Sequence, residues 1–408
     1  MATTPRPPGP DRASAPTPPK SPKPPPKKAP LKKKAPTLAS HGASYELCLY
    51  CPSLCQHACP VATVEGHETF TPQRLMSLAA HVPHGRVTAS ADVVKTLFAC
   101  SGCGACTSAC NYENPVADAL VEARASLADA GETPVPAAVV ERPTLPADHP
   151  VFESLRQHSR YEERPAVSLV PGRGLVEGDP TAIDALFGMV ERLDVEPLAC
   201  GELARIDPGY ELWFFGHHKR FAERAQKVAI AARGARDIVV WSPETLYLLQ
   251  TIYPRFGIEI DAAVAHVSEY LLPVLSGAVV KRLSGRVGYH ESCHLKRHTQ
   301  VGDVPRQVLK RVLSGPLIEL PARADIQGCC GGSGLEPLYA ETAAKMADAS
   351  VLAARELGIE RLVSFSPECV AALRLAAARL PARAGEPALR VDHAVTLVAE
   401  AVIGDGVG

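Results

Sequence analysis

No stretch of this sequence is apolar for long enough to cross a bilayer; the longest, near 271–280, is short and broken by Pro273 and Gly277. No apolar segment follows Met1 either, and the 13 cysteines are an odd number, so an exported disulfide scaffold is not expected. Net charge is almost absent, −1 over 408 residues, but the balance conceals a split. Residues 1–44 hold nine basic side chains against one acidic, while the remainder sets 34 basic groups against 43 acidic ones. A body with that excess of acid is a poor match for nucleic acid, and any polyanion contact falls to the tail. No Gly-x-Gly-x-x-Gly follows a strand, so no flavin or nicotinamide fold is evident, and hydride chemistry needs a partner. The cysteines therefore read as ligands or thiols in a reducing compartment. We expect a cytoplasmic protein, at most peripheral at the inner face of a membrane.

What is present falls into blocks. Residues 1–44 form a Pro- and Lys-rich tail with 13 of the 38 prolines and almost no aliphatic side chains, expected to be disordered. Residues 45–130 read as a compact cysteine-rich region with helices at Pro72–His81, Ser90–Ala99 and Pro115–Ala128. Residues 131–165 are a Pro-rich connector with a short helix near Val151–Arg160. Beyond it, short aliphatic runs alternate with helical stretches, an α/β pattern. Strands are expected at Val167–Val170, Leu212–Phe215, Ile238–Trp241, Val287–His290 and Leu362–Phe365. Helices are expected at Pro180–Leu193, Lys219–Arg233, Glu244–Tyr253, Val304–Leu313, Pro337–Leu357 and Glu368–Ala378.

An internal repeat divides this region into 166–275 and 276–408. ARDIVVWSPETLY at 235–247 resembles GIERLVSFSPECV at 358–370, and AHVSEYLL at 265–272 resembles DHAVTLVA at 392–399. The latter pair places His266 and His393 alike, which favours a shared capping role. Ala199-Cys200-Gly201 is expected to match Cys329-Cys330-Gly331.

Two cysteine runs carry the strongest chemical signal. Cys100-x-x-Cys103-x-x-Cys106-x-x-x-Cys110 is the bacterial ferredoxin spacing for a cubane 4Fe-4S cluster, with Asn111 where proline usually follows. Its partner is Cys48-x-x-Cys51-x-x-x-Cys55-x-x-x-Cys59-Pro60, with one additional residue between the second and third thiols. Soft thiolates suit iron, and short loops let three converge on one face of a cube. In two-cluster ferredoxins the fourth cysteine of each run serves the other cluster. That implies Cys48, Cys51, Cys55 and Cys110 for one, and Cys100, Cys103, Cys106 and Cys59 for the other. Two four-thiolate zinc sites are the alternative, although zinc has no need of four-cysteine runs ending in x-x-x-Cys.

A second set of thiols lies far downstream: Cys293, Cys329, Cys330 and Cys369. Cys293 follows an expected strand, Cys369 starts a helix whose free backbone N–H groups stabilise a thiolate, and Cys329 and Cys330 stand in a flexible loop before Gly331-Gly332, so the four can converge where strand-end loops gather at one sheet edge. A metal cluster, a dithiol redox pair and unrelated cysteines all remain open from spacing alone. His290, His294, Lys296 and Arg297 surround Cys293 in GYHESCHLKR, and His294 is the leading non-cysteine candidate for a catalytic role beside Cys293 and Cys330. Lys296 and Arg297 read somewhat better as exposed charge at a loop-to-helix junction. His217, His218, Lys219 and Arg220 read as a helix start.

On these motifs the chain resembles the iron–sulfur subunits related to heterodisulfide reductase, including those of anaerobic glycerol-3-phosphate dehydrogenase and of glycolate or lactate oxidases. The resemblance covers about residues 45–403. The family pattern is a cysteine, thirty-odd residues, Cys-Cys-Gly, a similar gap and Cys-x-x-Cys; here Cys293, Cys329-Cys330-Gly331 and Cys369 match it, with 35 residues in the first gap. The final pair is Ser366-x-x-Cys369, so one of five thiols is replaced. The implied fold is α+β: a helical two-cluster ferredoxin-like domain (45–130), then a degenerate cysteine-rich α/β domain (166–275) holding only Cys200 as a buried thiol. A second cysteine-rich α/β domain (276–408) follows. The implied cofactors are two 4Fe-4S clusters and room for a third in the C-terminal domain. The implied role is an electron-transfer protein or oxidoreductase subunit. It would work between a flavoprotein dehydrogenase and a quinone, membrane or disulfide acceptor. Disulfide or heterodisulfide reduction at Cys293 and Cys330, and a non-enzymatic sensor or scaffold, are the other readings.

The tail has almost no aliphatic residues with which to join the body. Removing residues 1–40 should leave iron content and the thermal transition nearly unchanged. A halving of iron under matched anaerobic conditions would overturn that expectation.

Overall fold

The computed structural model describes residues 41–82, 85–193, 195–278, 280–321, 328–381 and 388–404. Residues 1–40 of the expected disordered tail lie outside the described residues.

Helices bracket the two cysteine runs. Gly42–Leu49 carries Cys48, and Pro60–Glu65 starts directly after Cys59, with Pro60 at the first helical position where its missing N–H costs nothing. Pro72–His81 forms over its expected span. Ala91–Leu97 is capped by Ser90, whose Oγ accepts from the Val93 N–H. Val116–Asp129 buries Ala119, Leu120 and Ala123 against these helices and carries the fully buried Arg124. The connector holds two short helices, Ala137–Val140 and Pro150–Gln157.

Two four-stranded parallel sheets follow. The first contains β1 (Val167–Val170), β2 (Ala199–Cys200), β3 (Asp237–Val240) and β4 (Ala263–His266) in the order β2-β1-β3-β4. The second contains β5 (Val287–Tyr289), β6 (Ile318–Glu319), β7 (Arg361–Ser364) and β8 (Arg390–His393) in the matching order β6-β5-β7-β8. Parallel strands need crossover connections, so helices alternate with strands along the chain, and helices covering both faces explain why the inner strands are nearly unbroken aliphatic runs.

The ladders fix how the halves correspond. Val167 pairs with Asp237 as Val287 pairs with Arg361, and Val240 pairs with His266 as Ser364 pairs with His393. His266 and His393 therefore share a position. His266 caps Val267–Ser276 in a capping box with Glu269, whereas the His393 side chain turns to Asp179 Oδ2 at 3.3 Å. The same ladders correct one expectation. Cys200 pairs with Leu169 and Glu319 with Tyr289, so Glu319 and not Cys330 is the counterpart of Cys200. Ala-Cys-Gly is a buried strand end, while Cys-Cys-Gly is a loop ten residues beyond β6.

A second correction concerns Leu212–Phe215. These residues lie in the helix Tyr210–Phe214 and its C-cap, not in a strand. A short apolar aromatic run cannot be assigned by periodicity alone; here Gly209, at φ +89°, starts a helix that buries Tyr210, Trp213 and Phe214 together. The expected helix Glu244–Tyr253 also divides, into Pro243–Tyr247, a π-helical turn at Leu248–Ile252 and Tyr253–Arg255.

Phe214 is a wedge between segments far apart in sequence. A Cβ on Gly102, in the second cysteine run, would lie 2.7 Å from its ring; one on Gly334, after Cys-Cys-Gly, would lie 2.4 Å away. Gly334 also has φ +80°, a conformation other residues adopt only with strain. Gly334→Ala should therefore destabilise the protein by about 1–3 kcal/mol, and Phe214→Ala by about 3–5 kcal/mol. Combining Gly334→Ala with Phe214→Leu should cost less than the two single changes added, measured as the shift in thermal midpoint.

Candidate metal centres and their surroundings

The two N-terminal runs interleave in space. The Cys48 thiol is pushed up to about 11, by burial first, and Cys55, Cys51 and Cys110 stand close enough to add to the rise; Asn114 Nδ2 opposes it by donating to Cys48 Sγ at 3.0 Å. Burial likewise pushes Cys59 up to about 12, with Cys103 and Cys100 as its thiol neighbours. Cys106 feels Cys100, Cys103 and Cys59, and then Cys55. The structure thus brings Cys48, Cys51, Cys55 and Cys110 together as one group, and Cys59, Cys100, Cys103 and Cys106 as another. Cys55 and Cys106 meet where the groups adjoin.

The four downstream thiols also converge, all buried. Cys293 opens the helix Cys293–Arg297, and its Sγ lies 3.9 Å from Cys329 Sγ. Cys330 Sγ lies 3.1 Å from Cys369 Sγ, in the first turn of Pro367–Arg379. The backbone N–H groups of Gly331 and Gly332 point back at Cys329 Sγ and Cys330 Sγ, both at 3.4 Å, which favours thiolates there. Hydrogen bonds from Cys293 and Cys330 outweigh burial at Cys329 and draw its thiol well below the ordinary range. Cys103 lies within electrostatic reach of both Cys329 and Cys293, so this set adjoins the second N-terminal group. Cys200 stands apart, wholly buried, its thiol driven up by burial alone.

Two guanidinium groups sit at these junctions, and neither is exposed charge. Arg124 donates to the carbonyls of Leu97 (3.2 Å), Phe214 (3.3 Å) and Cys100 (3.0 Å), with its plane 4.4 Å from the Phe214 ring centroid. Arg297, expected at a solvated junction, is half-buried, donates to the Cys103 carbonyl and faces Cys103, Cys293 and Cys329. The helix that holds Arg297 packs against Ala105–Ser108 of the second run, a contact that spacing could not disclose. Lys296 is half-buried. His217 Nε2 donates to the Val135 carbonyl (2.8 Å) and Arg220 donates to Glu141, so that basic cluster ties its helix to the connector.

His294 lies 3.6 Å from Cys293 Sγ, but both of its ring nitrogens are engaged: Nδ1 with Glu244 Oε1 at 3.1 Å and Nε2 with the Tyr210 hydroxyl at 2.9 Å. Burial lowers its affinity for a proton, yet the Glu244 carboxylate more than restores it, leaving a buried ion pair. Glu244 also accepts from Ser333 Oγ at 2.7 Å and is held well below the usual carboxylate range. Glu368, the repeat counterpart of Glu244, is instead pushed well above the usual carboxylate range, by burial first and then by the charge of Glu244. Glu244 and Glu368 line a cleft of about 320 Å³ with Tyr210, Ser242, Ser333 and Glu211. Tyr210, Glu244 and Arg124 carry no motif; only their place on helices packed against the cysteine loops marks them.

Family comparison agrees with this layout. The model of the 4Fe-4S dicluster domain matches residues 44–114, and that of the CCG cysteine-rich domain matches 287–374, the second sheet alone. The chain is a homologue of the heterodisulfide reductase-related iron–sulfur subunits. It is 26% identical over 71% of its length to a probable membrane-anchored ferredoxin of Chromohalobacter salexigens, covering 47% of that protein. It is 30% identical over 35% of its length to one of the subunits of the dihydromethanophenazine:CoB–CoM heterodisulfide reductase of Methanosarcina acetivorans, covering 36% of that polypeptide. It is 25% identical over 79% of its length to one of the subunits of the fumarate reductase (CoM/CoB) of Methanothermobacter marburgensis, covering 66% of that polypeptide. The chain thus spans between about a third and two thirds of these relatives.

The Glu244–His294 pair joins the two halves through charge. Breaking it in His294→Ala should cost about 3–5 kcal/mol, because the partner charge stays buried. Adding Glu244→Gln should recover part of that loss, read from thermal midpoints of the single and double variants.

Proposed function

We propose that this chain is an iron–sulfur electron-transfer subunit. Cys48, Cys51, Cys55 and Cys110 would hold one 4Fe-4S cluster, Cys59, Cys100, Cys103 and Cys106 a second, and Cys293, Cys329, Cys330 and Cys369 a third. The supporting observation is the unbroken succession of three thiol groups, joined at Cys55–Cys106 and again at Cys103–Cys329. One-electron exchange is the chemistry such groups supply when bound. The residues around them suit it: Arg124 and Arg297 set positive charge beside the second group and at its junction with the third, where added negative charge has to be accommodated.

On this reading 45–130 is the two-cluster domain, 131–165 a connector, 166–275 a degenerate cysteine-rich domain and 276–408 its ligand-bearing copy. The matched sheet orders support the duplication, with Arg173 and Thr245 at the positions of Cys293 and Cys369. The two ends of the succession differ in access. Tyr50 is 89% exposed, Leu54 65% and Tyr112 76%, all beside the first thiol group. That apolar rim suits a flavoprotein dehydrogenase as electron partner, with a quinone, a membrane component or a disulfide as the other terminus. Among the described residues no helix is long and apolar enough to cross a membrane, so a membrane partner would be reached peripherally. Disulfide reduction is a second reading, favoured by the 3.1 Å approach of Cys330 to Cys369 and weakened by Ser366.

Anaerobic purification with iron and acid-labile sulfide counts and electron paramagnetic resonance tests the proposal. About twelve irons are expected for three four-iron clusters, falling to about eight in Cys330→Ser with the ferredoxin-type signals retained, and unchanged in Cys200→Ser. Stoichiometric zinc without sulfide would reject all three clusters; an unchanged count in Cys330→Ser would remove the third.

A further inference from the structure

The C-terminal centre has four thiols where the family pattern has five, with Ser366 in the vacant place. We propose that His290 supplies the missing ligand, an imidazole nitrogen beside the thiolates of Cys330 and Cys369. This rests on the reading above that these cysteines hold an iron–sulfur centre. A ring nitrogen of His290, Cys330 Sγ and Cys369 Sγ all lie within 4.8 Å of one another, and all three residues are buried.

The imidazole approaches the Cys369 thiol as a hydrogen-bond partner, and one of its nitrogens is uncommitted. His290 Nδ1 is shielded from solvent and has no hydrogen-bond partner, a condition native interiors rarely tolerate. A metal ion held with Cys330 and Cys369 would engage the ring, since neutral imidazole is a ready metal ligand. The neighbouring polar side chains are occupied elsewhere. His294 is engaged at both nitrogens, by Glu244 and Tyr210. Ser366 Oγ accepts from the Cys369 N–H at 3.2 Å and donates to Glu368 Oε2 at 3.0 Å, so its hydroxyl acts as a helix cap.

The sheet holds His290 where it is needed. It follows β5, and its N–H donates to the Val363 carbonyl of β7 at 2.9 Å, fixing the residue against the strand that leads to Ser366 and Cys369. The first half provides an internal control. Counting from the paired residues Val167 and Val287, Val170 stands where His290 stands, and that half lacks the ligand thiols as well. The thiols and the imidazole are thus present in one copy and missing from the other. A neutral imidazole in place of a thiolate removes one negative charge from the centre and raises its reduction potential.

The test uses the full chain, purified anaerobically from cells grown with unlabelled or ¹⁵N-labelled histidine. The resonance that Cys330→Ser abolishes identifies the C-terminal centre. In the native protein that resonance should show a strong nitrogen coupling by pulsed electron paramagnetic resonance, changed by the ¹⁵N label. His290→Gln should lose the coupling. His290→Cys should keep the iron count, lose the coupling and shift the midpoint potential downward. Iron present at the centre without a directly bound nitrogen, or a coupling that survives in His290→Gln, overturns the His290 assignment alone. A native protein whose iron and spectrum match those of Cys330→Ser overturns the third centre and His290 with it. The labelling measurement on native protein needs no variant to fold.

Discussion

Concentrating thiols of one potential charge in a single interior is the constraint to which the rest of the structure answers. Two unit charges 4 Å apart repel by about 4 kcal/mol at an effective dielectric of 20, and burial adds its own penalty. Burial accordingly raises Cys48, Cys59 and Cys106, and a group with these neighbours gives up its proton readily only to a metal. The chain supplies compensation in place: Arg124 against Cys100, Arg297 between Cys103 and Cys293, and backbone N–H groups at Cys329 and Cys330. Neither guanidinium lies in the same sequence segment as all the thiols it serves, so the segments have to be assembled for these charges to balance.

Assembly runs through one aromatic side chain and one cation. Phe214 comes from the half with no ligand set, yet its ring fills the space left by Gly102 in one cysteine loop and Gly334 in another. Arg124 stacks on that ring while holding the Leu97 and Cys100 carbonyls. The half without a ligand set therefore still packs against the downstream thiols, contributing Tyr210 and Glu244 beside His294.

Much of this fold was legible because period and punctuation agree. The aliphatic run at β1 and the proline at the start of Pro72–His81 are local signals, and local structure obeyed them. The strands β2 and β6 have two residues each and carry almost no periodicity, so neither could be read. β4 and β8 were visible only as repeat partners around His266 and His393. Leu212–Phe215 was misread because an aromatic run has the same composition in a buried strand and a buried helix. Within the site, spacing disclosed the thiols but not what surrounds them. His294 stood out by adjacency to Cys293, whereas the state of an imidazole depends on its partners, and those come from Tyr210 and Glu244 in the other half.

The two Ser-Pro-Glu turns explain how one half can lose its ligands and the fold persist. Each places serine at a helix N-cap and proline at the first helical position, a start that depends on no metal. In the second copy Ser366 caps through the Cys369 N–H. In the first, Ser242 gives up that bond and its Oγ reaches Glu368 Oε1 across the junction at 2.8 Å. The same tripeptide thus serves local capping in one half and contact between halves in the other. Helix initiation, packing between the sheets and metal ligation make separate demands on the sequence. A serine at 366 satisfies the first without supplying a thiolate, so a capped helix start at that turn says nothing of whether a metal is held beside it.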